Sequence, residues 1–271
     1  MFSRNTSPLL AFASLSLSLT QPVSAAEKEV PILFSEDFEN TAKGQIPDGF
    51  TKDGSVGVTD EVGHWGKKSL RIEAAIRGPR RINKSGPEIT ALGGQHWGRL
   101  YFKVQLPTPD PSPEKPIIHS TLVGGKATSP QFNDPIEVRV LDTLVGKTGE
   151  LSYLYNVQPK QRPEFATSTP RQYRYSDQWT LAEWFVDHAT QTYKLFINGE
   201  EIPKVSFSKG AGAFEKSEIP EVFQSLSFGW NNYQPAGVNP GDGFVAWIDD
   251  IALGKERIGA QVIAPKKASA K

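Results

Sequence analysis

Apolar and polar residues alternate along many short segments of this chain. Residues 69–76 and 97–106 show this alternation plainly, and a period of two is typical of a strand that rests one face on a core. Other runs of this kind predict strands at 30–40, 55–60, 117–123, 136–141, 151–157, 179–188, 192–197, 226–230 and 244–253. No segment shows a helical period. The pattern therefore predicts an all-β protein, a sandwich or jelly roll of about a dozen short strands.

Composition agrees with this prediction and narrows the classes of function. The 21 prolines and 24 glycines favour many turns over long helices. The 30 basic and 30 acidic side chains cancel, so charge gives no reason to expect nucleic acid or an anionic membrane as a partner. The absence of cysteine excludes disulfides and thiol catalysis, and leaves the core or a bound metal to stabilise the fold.

The N-terminal residues have the features of a secretory signal peptide. Arg4 precedes a stretch of apolar and small residues at 8–19, and small residues follow at 22–26. We predict a signal peptide at 1–25, a single domain at 26–260 and a disordered polar tail at 261–271. The apolar stretch is too short to span a membrane, so the mature protein is expected to be secreted or periplasmic.

Two predicted strands carry acidic residues in apolar surroundings. The last strand holds Asp249 and Asp250 after Trp247, and the first places Glu39 directly after Phe38. A carboxylate buried in a strand costs several kcal/mol unless a cation or a donor meets it. We therefore predict that the first and last strands lie side by side and share a cation between Glu39 and Asp250. The alternative is that both are solvated carboxylates at a sheet edge.

Three stretches together resemble a known family. They are residues 36–39 (EDFE), 184–203 (WFVDHATQTYKLFINGEEIP) and 228–259, which contains FGWNNY, WIDDI and RIG. Their order and spacing resemble the secreted fungal cellulose-induced proteins, which group with glucuronan lyases and have bacterial relatives. The resemblance implies a concanavalin-like β-jelly roll of two antiparallel sheets with a polysaccharide groove on one sheet. It also implies a structural calcium ion held by Glu39, by Asp250 and by a backbone oxygen near His64 or Trp65.

In the groove the resemblance is less complete. His119 and Arg139 match the family pattern, and so do Tyr155 and Asn156. Glu137 stands where the family has a second histidine, the aspartate expected before Tyr155 is absent, and residues 141–149 resemble an insertion.

The groove residues suit cleavage of a uronic-acid polymer by β-elimination. Arg139 and Asn156 would neutralise the sugar carboxylate, while His119 and Tyr155 would move protons. Each of these residues also has a structural interpretation: a hydrogen-bonded core histidine, an arginine paired with Glu137 or Asp142, and a core tyrosine.

Further groove residues are predicted to bind the sugar rather than to move protons. The candidates are Glu137, Trp230, Asn231 and Tyr233, and core packing is the alternative for Trp230. Strand alternation places Arg139 on the same face as Glu137 and Leu141. It leaves open whether the faces of the different strands belong to one sheet.

Three other functions stay open at this point. A glycoside hydrolase would need two acidic residues such as Glu183 and Asp187 at a suitable separation. A non-catalytic carbohydrate-binding protein would need the groove and the calcium but no acid or base, and the loss of the family's second histidine favours it. A structural envelope module would bind nothing. We expect a monomer whose partner is an extracellular, uronic-acid-containing polysaccharide.

Overall fold

The computed structural model describes residues 30–132, 134–160, 163–210, 218–236 and 242–263. The predicted signal peptide lies outside these ranges, as do residues 264–271 of the predicted tail. Within the described ranges no helix has both the length and the apolar character needed to cross a membrane.

The described residues form fifteen strands and one short helix. In chain order they are β1 (Ile32–Glu36), β2 (Phe50–Asp53), β3 (Val56–Thr59), β4 (Ser69–Ile72), β5 (Gly78–Ser85), α1 (Pro87–Thr90), β6 (Gln95–Val104), β7 (Ile117–Thr128), β8 (Ile136–Gly146), β9 (Leu151–Gln158), β10 (Phe165–Ser168), β11 (Thr180–Asp187), β12 (Thr192–Ile197), β13 (Glu200–Glu201), β14 (Val222–Asn232) and β15 (Ala246–Gly254).

The strands build two sheets that pack as a sandwich. The eight-stranded sheet has the order β13-β12-β11-β6-β15-β4-β3, with β1 also paired to β15. The seven-stranded sheet has the order β10-β9-β8-β7-β14-β5-β2. The pairings between these strands are antiparallel. This confirms the predicted all-β jelly-roll sandwich of two antiparallel sheets.

Alternate residues of each strand fill the space between the sheets. On β11, Trp184 is fully buried in the core, and its indole N–H donates to His96 Nε2 at 3.2 Å. Gly98 lies opposite Trp184 on the neighbouring strand β6. A Cβ atom at Gly98 would lie 2.1 Å from a ring atom of Trp184, so the absence of a side chain there makes room for the indole.

The first and last strands lie side by side, as the sequence predicts. Phe34 pairs with Leu253, and Glu36 pairs with Ile251. Nearer its start, β15 pairs with β4 instead, from Ala246 to Ile248. β1 and β4 therefore follow one another along the same side of β15, and β6 occupies the other side.

The structure adds strands that the sequence pattern did not predict, among them β2, β5 and β10, and it extends β8. β8 runs on to Gly146, so the first part of 141–149 continues a strand. The sequence pattern missed β5, because Arg80 occupies an inward position beside Ile82. Arg80 is only 2% exposed, and its guanidinium donates to the carbonyls of Glu73 (2.8 Å) and Phe244 (3.2 Å).

The contact between Gly98 and Trp184 yields a test of the packing. Gly98→Ala should lower the free energy of unfolding by about 1–3 kcal/mol, because the core is overpacked at that point. Urea denaturation of the purified variant measures the loss. If the indole is the obstacle, Gly98→Ala combined with Trp184→Phe should lose less than the sum of the two single changes. Additive losses would show that the ring is not what the new methyl group meets.

Candidate functional site

A cluster of polar side chains lies on the face of the seven-stranded sheet that is turned away from the core. We call it the polar cluster; its members are His119 of β7, Arg139 and Asp142 of β8, Asn156 of β9, and Tyr233 just after β14. Arg139 pairs directly with Asn156 across β8 and β9. Directly paired residues project to the same side of a sheet, so these two side chains are neighbours.

A bulge in β8 brings Asp142 onto the same face as Arg139. The register advances from Arg139–Asn156 to Asp142–Leu154, which is three residues along β8 against two along β9. An extra residue of this kind re-aims the side chains that follow it. Strict alternation predicted that Arg139 shares its face with Leu141. That prediction is wrong, because Leu141 belongs to the hydrophobic core.

His119, Asp142 and Arg139 are in mutual contact. His119 Nε2 lies 2.6 Å from Asp142 Oδ2 and 3.0 Å from Arg139 Nη1. Arg139 Nη1 lies 3.6 Å from the same carboxylate oxygen. The predicted pair of His119 and Arg139 is therefore brought together, and a carboxylate joins it.

Asp142 was not predicted as a site residue, yet it is the most deeply buried member of the cluster. Its side chain is 0% exposed, and Oδ1 accepts hydrogen bonds from the backbone N–H of Thr143 (3.0 Å) and from the Thr121 hydroxyl (3.3 Å). The signal in the sequence is an aspartate inside the apolar run of β8. It is the same signal that marked Asp249 and Asp250.

Two polar atoms of the cluster have no hydrogen-bond partner among the described residues. They are Nε of Arg139 and Oδ1 of Asn156, and both are inaccessible to solvent. Arg139 Nη2 donates to Gln158 Oε1 at 3.3 Å, and its Nε lies 3.7 Å from Glu137 Oε1, beyond hydrogen-bond reach. Buried polar groups are nearly always paired in folded proteins. The hydrogen-bonding capacity of Arg139 and Asn156 is therefore not used up by the described residues.

Tyr233 covers the cluster from the end of β14. Its ring centroid lies 5.2 Å from the Arg139 guanidinium and 5.8 Å from the His119 ring, and its backbone N–H donates to the His119 carbonyl at 2.9 Å. The side chain is 55% exposed. Asn231 pairs with Thr121 and lies on the same face. Asn231 is thus placed beside the cluster, of which Tyr233 is a member.

Two predicted site residues lie in the core instead, and their assignments are corrected. Tyr155 is 0% exposed, its hydroxyl donates to the Glu218 carbonyl at 2.7 Å, and burial raises the pKa of that hydroxyl well above its usual value. It projects to the face opposite Asn156, because adjacent strand residues alternate. Trp230 is also 0% exposed and packs in the core, so it offers no platform for a sugar.

The residues predicted to hold calcium are brought together only in part. His64 Nδ1 lies 2.8 Å from Asp250 Oδ2, and the His64 N–H donates to Asp249 Oδ2 at 2.8 Å. Trp65 packs its ring 4.5 Å from that of His64. Glu39 Oε1 instead accepts the backbone N–H groups of residues 67 (2.8 Å) and 68 (2.7 Å). In the described part of the chain, no three His, Asp or Glu side chains form a group that could hold a metal ion.

Burial shifts the pKa of both aspartates at this second location. Burial, the neighbouring Asp250 and, more weakly, Glu39 raise the pKa of Asp249 to about 8. Burial also raises the pKa of Asp250, against the opposing effects of His64 and Arg99. Buried carboxyl groups short of positive charge have the hard oxygen atoms that calcium prefers.

Glu183 and Asp187, the candidate acids of a hydrolase, are occupied in other roles. Glu183 is bound by Arg257 Nη2 at 2.9 Å and by the backbone N–H of Gly259 at 3.0 Å. Asp187 accepts the Ala189 N–H at 3.0 Å. Both residues belong to β11 in the eight-stranded sheet, so neither lies in the polar cluster.

We compared the sequence and the fold with those of known proteins. No protein family and no curated protein matches the sequence. The fold is similar to that of the cellulose-induced protein Cip1, with 17% identity, 84% of this chain and 100% of that chain covered, and a TM-score of 0.52. It is also similar to the alginate lyase Aly36B, at 11% identity and with a TM-score of 0.53. The match covers 85% of this chain and 99% of that chain.

A variant of Aly36B in complex with an alginate trisaccharide gives the same TM-score of 0.53 at 11% identity. The match covers 84% of this chain and 100% of that chain. At these identities the likeness establishes the fold, which is that of Cip1 and of a polysaccharide lyase.

Measurements of unfolding free energy can test the assignment of Tyr155 to the core and of Tyr233 to the polar cluster. Tyr155→Phe should lower the free energy of unfolding by about 1 kcal/mol, because the Glu218 carbonyl loses a buried donor. Tyr233→Phe, the matched control on the exposed ring, should change it by less than about 0.5 kcal/mol. Denaturant unfolding of both variants measures the difference. Equal effects would contradict the assignment of Tyr155 to the core and Tyr233 to the site.

Proposed function

We propose that this protein is a polysaccharide lyase that cleaves a uronic-acid polymer of the glucuronan type by β-elimination at the polar cluster. One observation carries the proposal. Arg139 Nε and Asn156 Oδ1 are buried and unpaired among the described residues, and they lie beside a histidine that contacts the same arginine. A uronic acid offers a carboxylate to the arginine and a hydroxyl to the amide.

The first task in β-elimination is to neutralise the sugar carboxylate, so that the proton on C5 becomes acidic. Arg139 is suited to this task because a guanidinium fits a carboxylate in a planar, charge-assisted arrangement. Its side chain is only 4% exposed. The attraction is therefore stronger than it would be in water.

The second task is to move two protons. In the proposed reaction His119 takes the C5 proton, the electron pair forms the C4–C5 double bond, and the C4–O bond breaks. The phenol of Tyr233, which stands beside both His119 and Arg139, donates a proton to the departing glycosidic oxygen. Histidine and tyrosine are both established acid–base groups. Tyr233 thus takes the role first predicted for Tyr155.

The comparisons support this proposal through two similar structures, which are described as an alginate lyase and as its complex with an alginate trisaccharide. Export to the periplasm or the medium, which the predicted signal peptide implies, would bring the protein to such polymers. We propose that it acts there as a monomer.

A non-catalytic carbohydrate-binding protein is the second candidate. The observation that favours it is Glu137, an acidic residue where the resembling family has a second histidine. Its side chain is 50% exposed and lies on the Arg139 side of β8. A binding protein would use Arg139 and Asn156 but would need no proton transfer.

The lyase proposal is tested by incubating the mature protein with glucuronan, alginate, pectate and ulvan. We expect ultraviolet absorbance from the unsaturated uronic product to rise with one of these polymers. Arg139→Gln should lower kcat/KM by at least about 100-fold, because it removes a charged donor from the reacting carboxylate. Arg174→Gln is the matched control, since Arg174 is an exposed arginine bonded to Glu150 at 3.1 Å.

Two outcomes would overturn this proposal. Absorbance that stays flat with every polymer, together with retarded migration through a gel containing one of them, would establish the binding protein instead. Full activity in Arg139→Gln would remove that residue from the reaction.

We also propose that calcium binds at Glu39 and Asp250 and stabilises the fold. The observation that supports this proposal is electrostatic: Asp249 and Asp250 are buried carboxyl groups, and Glu39 adds a weaker negative charge to the surroundings of Asp249. Bound calcium would supply the positive charge that these groups lack.

A chelator should therefore lower the melting temperature of the mature protein. At a calcium concentration about 100 times the dissociation constant, the expected difference is roughly 5–10 °C. Differential scanning calorimetry measures it. Glu39→Gln should abolish the difference, whereas Glu61→Gln, which changes an exposed partner of Arg71, should preserve it. An unchanged melting temperature of the wild-type protein in chelator would contradict the proposal.

A further inference from the structure

His119 has two charged neighbours at the same ring nitrogen. Nε2 lies 2.6 Å from Asp142 Oδ2 and 3.0 Å from Arg139 Nη1. The other ring nitrogen, Nδ1, has no hydrogen-bond partner among the described residues. This asymmetry determines which nitrogen carries the proton.

We propose that Asp142 is a positioning residue that holds the His119 proton on Nε2 and leaves Nδ1 as the atom that takes the C5 proton from the substrate. The inference rests on the function proposed above and adds a residue that the sequence did not single out. Asp142 itself touches neither the sugar nor the transferred proton.

The position of the proton follows from the donors and acceptors around Nε2. An ionised carboxylate can only accept hydrogen bonds, and a guanidinium can only donate them. With Asp142 ionised, the 2.6 Å contact requires a hydrogen on Nε2. Arg139 then acts on this pair through its charge, 3.6 Å from the carboxylate oxygen, and the imidazole is locked in the tautomer that leaves Nδ1 unprotonated.

Asp142 is fully buried, and its other contacts are those of a hydrogen-bond acceptor. The Thr143 N–H and the Thr121 hydroxyl both donate to Oδ1, and Arg139 supplies a positive charge. Hydrogen bonds to a carboxylate and a nearby cation both favour the charged form. The aspartate therefore acts as a fixed acceptor.

Few other charged or titratable groups face His119. Among the described residues these are Asp142 and Arg139 from β8 and the Tyr233 phenol from the segment after β14. Glu137 reaches only Arg139, at 3.7 Å. A pH effect of removing the Asp142 carboxylate can therefore be assigned to its contact with His119.

The first test needs neither a variant of Asp142 nor a substrate. Heteronuclear NMR spectra of the labelled imidazole nitrogens identify the tautomer of each of the four histidines, and His119→Gln assigns the His119 signals. Near neutral pH we expect neutral His119 to carry its hydrogen on Nε2. A spectrum that shows the hydrogen on Nδ1 would overturn the proposal, even if Asp142→Asn failed to fold.

The second test measures cleavage by Asp142→Asn. We expect kcat/KM to fall roughly 100-fold, because the amide can donate to Nε2 and turn the ring to the wrong tautomer. The pH profile of kcat/KM should also change in this variant, because His119 loses the carboxylate that it contacts. Asp187→Asn is the control, since its carboxylate accepts the Ala189 N–H in the other sheet.

The two tests separate failure of this inference from failure of the proposed function. Unchanged activity and an unchanged pH profile in folded Asp142→Asn would overturn the positioning role while leaving the lyase intact. If the wild-type protein cleaves no polymer, the lyase proposal and the Nδ1 base both fall. The NMR spectra would then still decide whether Asp142 sets the tautomer.

Discussion

One extra residue in β8 places Arg139 and Asp142 on the same face of the seven-stranded sheet. Without it, the strict alternation of a strand would send one of the two side chains into the core. The adjoining strands are irregular at the same level, since β7 shifts register between Thr121 and Val123 and β14 between Phe228 and Asn231. The polar cluster therefore exists only where three neighbouring strands depart from regular pairing.

This dependence explains what the sequence could and could not predict. The strands follow from alternation, and the placement of His119 and Asn156 follows from the family resemblance. The bulge has no signature in the sequence, so the pairing of Arg139 with Asp142 could be offered only as a structural alternative, and the contact of Asp142 with His119 was not predicted. The exclusion of Tyr155 was predictable: it precedes Asn156 in one regular strand, and adjacent residues cannot share a face. β5 was missed because Arg80, a buried arginine bonded to carbonyl groups, hides its alternation.

Two of the buried carboxyl groups in the described residues, Asp142 and Asp249, have different surroundings. Asp142 is in contact with an arginine, a histidine, a hydroxyl group and a backbone N–H. Among the described residues, Asp249 receives only the backbone N–H groups of His64 and Asp250, and it stands next to another acid. The carboxylate of Asp142 has both hydrogen-bond donors and a positive charge as partners, which suits a group that orients a neighbouring side chain. Asp249 has no cationic side chain among the contacts named here, and a carboxyl group in such surroundings is suited to binding a cation. Both follow from the same structural device, because β15 also gains an extra residue, against β6, directly after Asp249.

The position of β15 has a consequence for how the chain folds as it is made. β15 is the last strand of the described chain, yet it lies inside its sheet, with β6 on one side and β4 and β1 on the other. A nascent chain that lacks Ala246–Gly254 cannot close this sheet, and the facing edges of β6 and β4 stay open to wrong pairing. Contacts between strands so distant in sequence also form slowly. The sandwich must therefore assemble after Ala246–Gly254 has been synthesised, and until then chaperones can bind the unfolded chain.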